Sequence, residues 1–74
     1  MYFGDKMADK MMCKVRAYRT YEGMSQRELA ALIGTSASSV CEIESGDRLP
    51  NVLLAIRIAR ALGTTVEELW KETG

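Results

Sequence analysis

The chain has no histidine, a single proline and only two cysteines, and each scarcity removes a class of function. Without histidine, the commonest general base and a common zinc ligand are both missing. Cys13 and Cys41 lie far apart, so neither opens a metal-binding pair, and two thiols are too few for the disulfide framework of a small secreted scaffold. The expectation is two reduced thiols in a cytoplasm, with no metal and no cofactor. There is also no glycine-rich phosphate loop and no nucleophile–base pair, so the chain is not expected to be an enzyme. No apolar run approaches the ~20 residues that span a bilayer. Met1 to Lys10 interleaves Asp5, Lys6, Asp9 and Lys10 with its apolar residues, unlike the apolar stretch of a signal peptide. Net charge is zero, so the overall basicity that marks many nucleic-acid binders is absent as well.

What is present is helical punctuation. Seventy-four residues allow one modest core. Such a chain buries only roughly 60% of its unfolded surface, so self-association would help its stability. After Gly4 the glycines fall at 23, 34, 46 and 63, cutting the chain into helix-sized pieces. Met7, Met11, Val15 and Tyr18 share one face of a first helix, with Asp9 or the earlier Asp5 as its N-cap. Ser25-Gln26-Arg27-Glu28 has the form of a capping box and opens a second helix carrying Leu29, Ala30, Leu32 and Ile33, which Gly34 stops. Thr35-Ser36 offers the next cap, for a third helix between Ser36 and Ser45 whose inward positions are Val40 and Ile43. Asn51 caps a fourth helix with Val52, Ala55, Ile56, Ala59 and Leu62. Thr65-Val66-Glu67-Glu68 is a second capping box, starting a short last helix with Leu69 and Trp70. The reading is an all-α chain of five short helices with no sheet: a flexible N-terminal extension over residues 1–8 and a single domain over 9–72.

The short helix, glycine turn and immediate second cap from Gly23 to Ser36 suit two helices meeting steeply, the arrangement that presents the second helix to a DNA major groove. A generic helical hairpin gives the same local signal. Read further, the chain resembles the lambda-repressor-like, Cro-type helix-turn-helix family. The matching elements are Arg19, Ser25-Gln26-x-Glu28-Leu29-Ala30, Gly34-Thr35-Ser36, Val40, Ile43-Glu44-x-Gly46, Pro50 and Ala59-x-Ala61-Leu62-Gly63, spread from about Met11 to Trp70. The resemblance implies a compact five-helix bundle whose second and third helices form the DNA-reading unit. It also implies a partly buried ion pair between Arg19 and Glu44, which makes those two residues scaffold rather than DNA contacts.

With Val40 and Ile43 inward, the outer face of the reading helix comprises Ser36, Ala37, Ser38, Ser39 and Glu42. By resemblance, Ala37, Ser38 and Glu42 face bases. Gln26, Ser36 and Ser39, with Arg48 and Asn51 beyond Gly46, are candidates for phosphate contact or for orienting the helix. Glu42 has two readings: it accepts from the cytosine amino group, or it is a solvated carboxylate that repels phosphates. Between Gly23 and Pro50 two arginines, Arg27 and Arg48, stand against four carboxylates, Glu28, Glu42, Glu44 and Asp47, a net of −2. Weak binding by a single copy follows, with further cations supplied by the first helix (Lys6, Lys10, Lys14, Arg16). Leu53, Leu54 and Trp70, together with the first-helix methionines, are read as an apolar dimer patch; the alternative is that they widen the core face. Cys41, mid-helix and beside Glu42, is read as an inert thiol. Two functions stay open: a repressor-like regulator binding double-stranded DNA as a homodimer on a palindrome, and a protein-interaction module on the same fold.

Overall fold

Four helices begin at a side chain that accepts a hydrogen bond from the first turn, as the capping residues predict. Ser25 Oγ accepts from the Glu28 amide at 3.0 Å while Glu28 Oε1 accepts from the Ser25 amide at 2.8 Å, completing the capping box. Ser36 accepts from Ser39, Asn51 from Leu54 and Thr65 from Glu68. Each such cap is worth ~1 kcal/mol. At Thr65 only this half of the expected box forms, because the Glu68 carboxylate turns instead to Lys71 Nζ, 3.6 Å away. In this computed structural model residues 11–72 are described. In order they form β1 (Met11–Cys13), α1 (Val15–Tyr21), α2 (Gln26–Ile33), α3 (Ala37–Ser45), α4 (Val52–Leu62), α5 (Val66–Leu69) and β2 (Trp70–Glu72). No helix among the described residues is long and apolar enough to cross a membrane.

The five expected helices are present, and the structure adds an element the local pattern did not contain. β1 and β2 pair antiparallel, with Met11 opposite Glu72, Met12 opposite Lys71 and Cys13 opposite Trp70. The Lys14 amide extends the tie to the Leu69 carbonyl at 2.8 Å. The first helix therefore begins at Val15, and Met11 belongs to a strand rather than to its apolar face. Asp9 is not its cap; Lys14 holds that position without a side-chain bond. Trp70, expected in the last helix, is extended. Strand pairing draws its hydrogen bonds from a partner far along the chain, so no local periodicity can show it. Met7 and the expected extension over residues 1–8 lie outside the described residues.

The core is built from Val15, Leu29, Ile33, Val40, Ile43, Ile58, Leu62 and Leu69, each nearly or fully closed to water. α2 packs most extensively on α3 and next on α4, so its Leu29 and Ile33 sit at the centre. On α4 the inward stripe is Ala55, Ile58, Ala59 and Leu62: Ala55, Ala59 and Leu62 face the core as expected, but Ile58 stands there in place of Val52 and Ile56. Ile58 is 1% exposed, whereas Val52 is 75% exposed and Ile56 38%. Val52, Leu53 and Ile56 form a second apolar stripe on α4, continued by Leu49 in the preceding loop, so periodicity could not choose between two apolar faces. Leu32, read among the apolar residues of the second helix, also points outward.

One carboxylate is enclosed in this core. The Glu44 side chain is 0% exposed and is reached from two helices. From α1, Arg19 grips it as a fork, Nε to Oε2 at 2.5 Å and Nη2 to Oε1 at 3.2 Å. Arg16, one turn earlier, adds Nε to Oε1 at 3.5 Å. From α2, Gln26 Nε2 donates to Oε1 at 3.0 Å. Arg19 also donates from Nη1 to the Met24 carbonyl at 2.7 Å, fixing the turn before α2. Burial alone would raise the Glu44 pKa, but the hydrogen bonds from Arg19 and Gln26 and the Arg19 charge outweigh it and hold the carboxyl below its ordinary value.

Glu44→Ala strands the Arg19 guanidinium, and denaturant unfolding should show a loss of about 3–5 kcal/mol, much of what a domain this size possesses. The pH profile checks the charge itself. With the folded pKa below the unfolded value of about 4.3, Glu44 stabilises the fold above that pH and the contribution disappears as pH falls through the depressed pKa. Glu44→Gln should flatten this acid-side loss of stability; an unchanged acid profile would remove Glu44 from the account.

Candidate nucleic-acid interface

The turn between α2 and α3 is three residues long, Gly34 to Ser36. Gly34 adopts φ +78°, a left-handed conformation that costs a side-chain-bearing residue roughly 1–2 kcal/mol. Ser36 is already extended and caps α3, so the chain leaves one helix and enters the next almost at once. α3 then turns Val40, Ile43 and Glu44 inward, as expected for Val40 and Ile43. Ser36, Ser38 and Glu42 are exposed on the other side, with Ala37 and Ser39 half-buried among them.

The candidate contact residues differ in what they have left to offer. Ser38 makes no side-chain hydrogen bond among the described residues. The Ser36 hydroxyl accepts from the Ser39 amide and donates to Ser39 Oγ at 3.1 Å. The first bonds of α3 run from the Ser39 and Val40 amides back to Ser36, which leaves the Ala37 and Ser38 amides open at the helix N-terminus, where an anion is favoured. Gln26 gives one amide proton to Glu44 and keeps the other, so it ties α2 to α3. Asn51 Oδ1 is occupied in capping α4 at 2.8 Å, and its amino group remains. Arg48 is turned back onto α3: Nη1 donates to Ser39 Oγ at 2.8 Å and lies 3.6 Å from Glu42 Oε1.

These pairings change the electrostatics read from the segment alone. Glu42 stands beside Arg48, and Glu44 is enclosed by Arg19 and Arg16. Glu28 is held in the α2 capping box, and Asp47 accepts from Ser45 Oγ at 3.0 Å. Counting the two α1 arginines that the fold brings to Glu44, the local surface is neutral rather than acidic. Arg16 is the contributor the linear reading placed only among general first-helix cations; its position three residues before Arg19 was the available signal. Of the cysteines, Cys41 is exposed on α3, while Cys13 donates to the Ile43 carbonyl at 3.4 Å and burial pushes its thiol pKa up.

Leu53 on α4 is 58% exposed, while Leu54 on α4 and Trp70 on β2 are half-buried against the core. The outward apolar surface is completed by Leu49, Val52 and Ile56, which the sequence reading did not place there. Leu49, Pro50, Val52, Ala55, Val66 and Trp70 line an apolar pocket of about 240 Å³ beside it.

Helix-turn-helix family sequences match residues 15–69, from the start of α1 to the end of α5. An uncharacterized HTH-type transcriptional regulator, YgzD of Bacillus subtilis (strain 168), is 36% identical over 63 residues, covering 84% of this chain and 96% of that protein. An uncharacterized HTH-type transcriptional regulator of Methanothermobacter thermautotrophicus is 40% identical over 53 residues, 72% of this chain and 77% of that one. Among solved structures, the restriction-modification controller protein C.AhdI from Aeromonas hydrophila superposes with a TM-score of 0.72 at 31% identity, over 90% of this chain and 98% of its own. The capped turn, the inward stripe of α3 and these matches agree, and the chain belongs to the Cro/C1-type helix-turn-helix family of DNA-binding transcriptional regulators.

Proposed function

We propose that this protein is a repressor-like, cytoplasmic regulator that binds double-stranded DNA sequence-specifically as a homodimer on a palindromic site. The observation that carries the reading is α3 itself: capped, held from behind through Glu44, and presenting Ala37, Ser38 and Glu42 on its free face. In this reading those three residues meet base edges. Ser36, Ser39, Arg48, Asn51 and the free proton of Gln26 lie toward the phosphates or steady the helix. The domain over residues 9–72 acts as one DNA-binding unit.

Dimerisation is supported by the outward stripe Leu49, Val52, Leu53 and Ile56 with the adjoining apolar pocket. A neutral reading surface makes few phosphate contacts per copy, and linking two half-sites raises affinity by about 10²–10⁴ without any new contact. The alternative, a protein-interaction module on the same fold, drew its support from the acidity of the helix-turn-helix segment. The pairing of Glu42 with Arg48 and of Glu44 with Arg19 weakens that support.

Selection from random DNA at low salt should enrich a palindrome with half-sites about one helical turn apart. Ser38→Arg should alter the preferred bases and Gln26→Ala should weaken binding. If nothing is enriched, the interaction-module reading stands in place of the regulator. Leu53→Glu should turn a dimer into a monomer in light scattering, leave the helical spectrum intact and lower affinity for the selected site by about 100-fold or more. A wild-type chain that stays monomeric at high micromolar concentration would dispose of the dimer.

A further inference from the structure

The outer face of α3 carries a connected set of polar groups that ends on the loop beyond it. Arg48 Nη1 donates to Ser39 Oγ at 2.8 Å and stands 3.6 Å from Glu42 Oε1, while Ser39 is in turn joined to Ser36 at 3.1 Å. Glu42 follows Ser38 by four residues, so the two project from the same side of the helix. A carboxylate there, facing a duplex with its two rows of phosphates, is repelled unless a cation stands beside it. Arg48 is that cation, and it comes from outside the helix, so its charge sits next to Glu42 without occupying the groove-facing position.

We propose that Arg48 is a specificity-positioning residue: by holding Ser39 and neutralising Glu42, it lets the Glu42 carboxylate accept a hydrogen bond from a cytosine amino group in the major groove. The inference rests on the reading of α3 as the base-contacting helix and assigns the ligand chemistry of one position on it. An ionised carboxylate only accepts, and in the major groove cytosine presents a 4-amino donor with no neighbouring acceptor of its own. Guanine on the same strand presents two acceptors and is rejected. In the free protein both side chains are about half exposed, and a pair of this kind contributes little in water. When the groove excludes water the same pair strengthens, because the dielectric around it falls. Arg48 thus acts on base choice through Glu42, and a simple phosphate contact would not.

A double-mutant cycle separates the two roles. Wild type, Glu42→Gln, Arg48→Ala and the double variant are each taken through selection from random DNA. Their affinities are then measured on the selected site and on the same site with one cytosine–guanine pair per half-site reversed. Both residues are exposed, so all four proteins should melt alike. Wild type should prefer the cytosine orientation by about fivefold or more. Arg48→Ala should lose affinity and lose that preference together. Glu42→Gln should abolish the preference in the wild-type background, yet raise affinity in the Arg48→Ala background by removing the unshielded charge. If Arg48→Ala weakens every sequence equally, and Glu42→Gln acts identically in both backgrounds, Arg48 is a phosphate contact only and the proposal fails while the regulator reading survives. A wild-type protein that enriches no motif overturns both.

Discussion

A carboxylate sealed inside a small helical core must be completely paired, and the architecture around Glu44 follows from that demand. Its two oxygens receive donors from Arg19, Arg16 and Gln26, which stand on two different helices, while Glu44 itself belongs to a third. Apolar packing is non-directional and tolerates small rotations; a forked guanidinium–carboxylate contact tolerates far less. Breaking it leaves a buried charge, so intermediate orientations of α3 are costly. The same contact brings two cations up behind α3 and so removes most of its negative charge. Orientation and electrostatics of the candidate interface therefore have one origin.

The second constraint is size. A chain with one layer of helices around a core of about a dozen side chains has little surplus stability, and α4 shows how the sequence responds. It carries two apolar stripes, one closed into the core through Ile58 and Leu62, the other open to water through Val52 and Leu53. A helix apolar on two sides offers a surface for a second partner beside its own core. In the proposed dimer the second partner is another copy, and the surface that would join the copies is built on the element that backs α2. The β1–β2 ribbon meets the same constraint covalently far but spatially near, tying the two ends of the described chain together over α5.

Much of the local structure was legible in the residues. The caps at Ser25, Ser36, Asn51 and Thr65, the stops at Gly34, Gly46 and Gly63, and the inward pair Val40 and Ile43 all follow from short-range rules, and all stand in the structure. What was not legible shares one feature: the deciding partner lies elsewhere in the chain. Met11 looks helical beside Val15 and Tyr18 until Glu72 pairs with it. Trp70 continues an apolar helical pattern until the ribbon extends it, and Ile56 and Ile58 are equivalent by hydropathy until α2 selects one face of α4.

The helix between Ser36 and Ser45 was thus determined by sequence alone, because capping hydroxyls, a left-handed glycine and 3.6-residue periodicity act within a turn or two of backbone. Which of its charges are free was decided only by the tertiary structure. Arg48 lies nine residues from Ser39, and no spacing rule predicts that it folds back onto Glu42; the Arg19–Glu44 pair, 25 residues apart, was implied by the family resemblance and by no local rule. Electrostatic energy depends on distance in space and on exclusion of water, and both exist only once the core has closed.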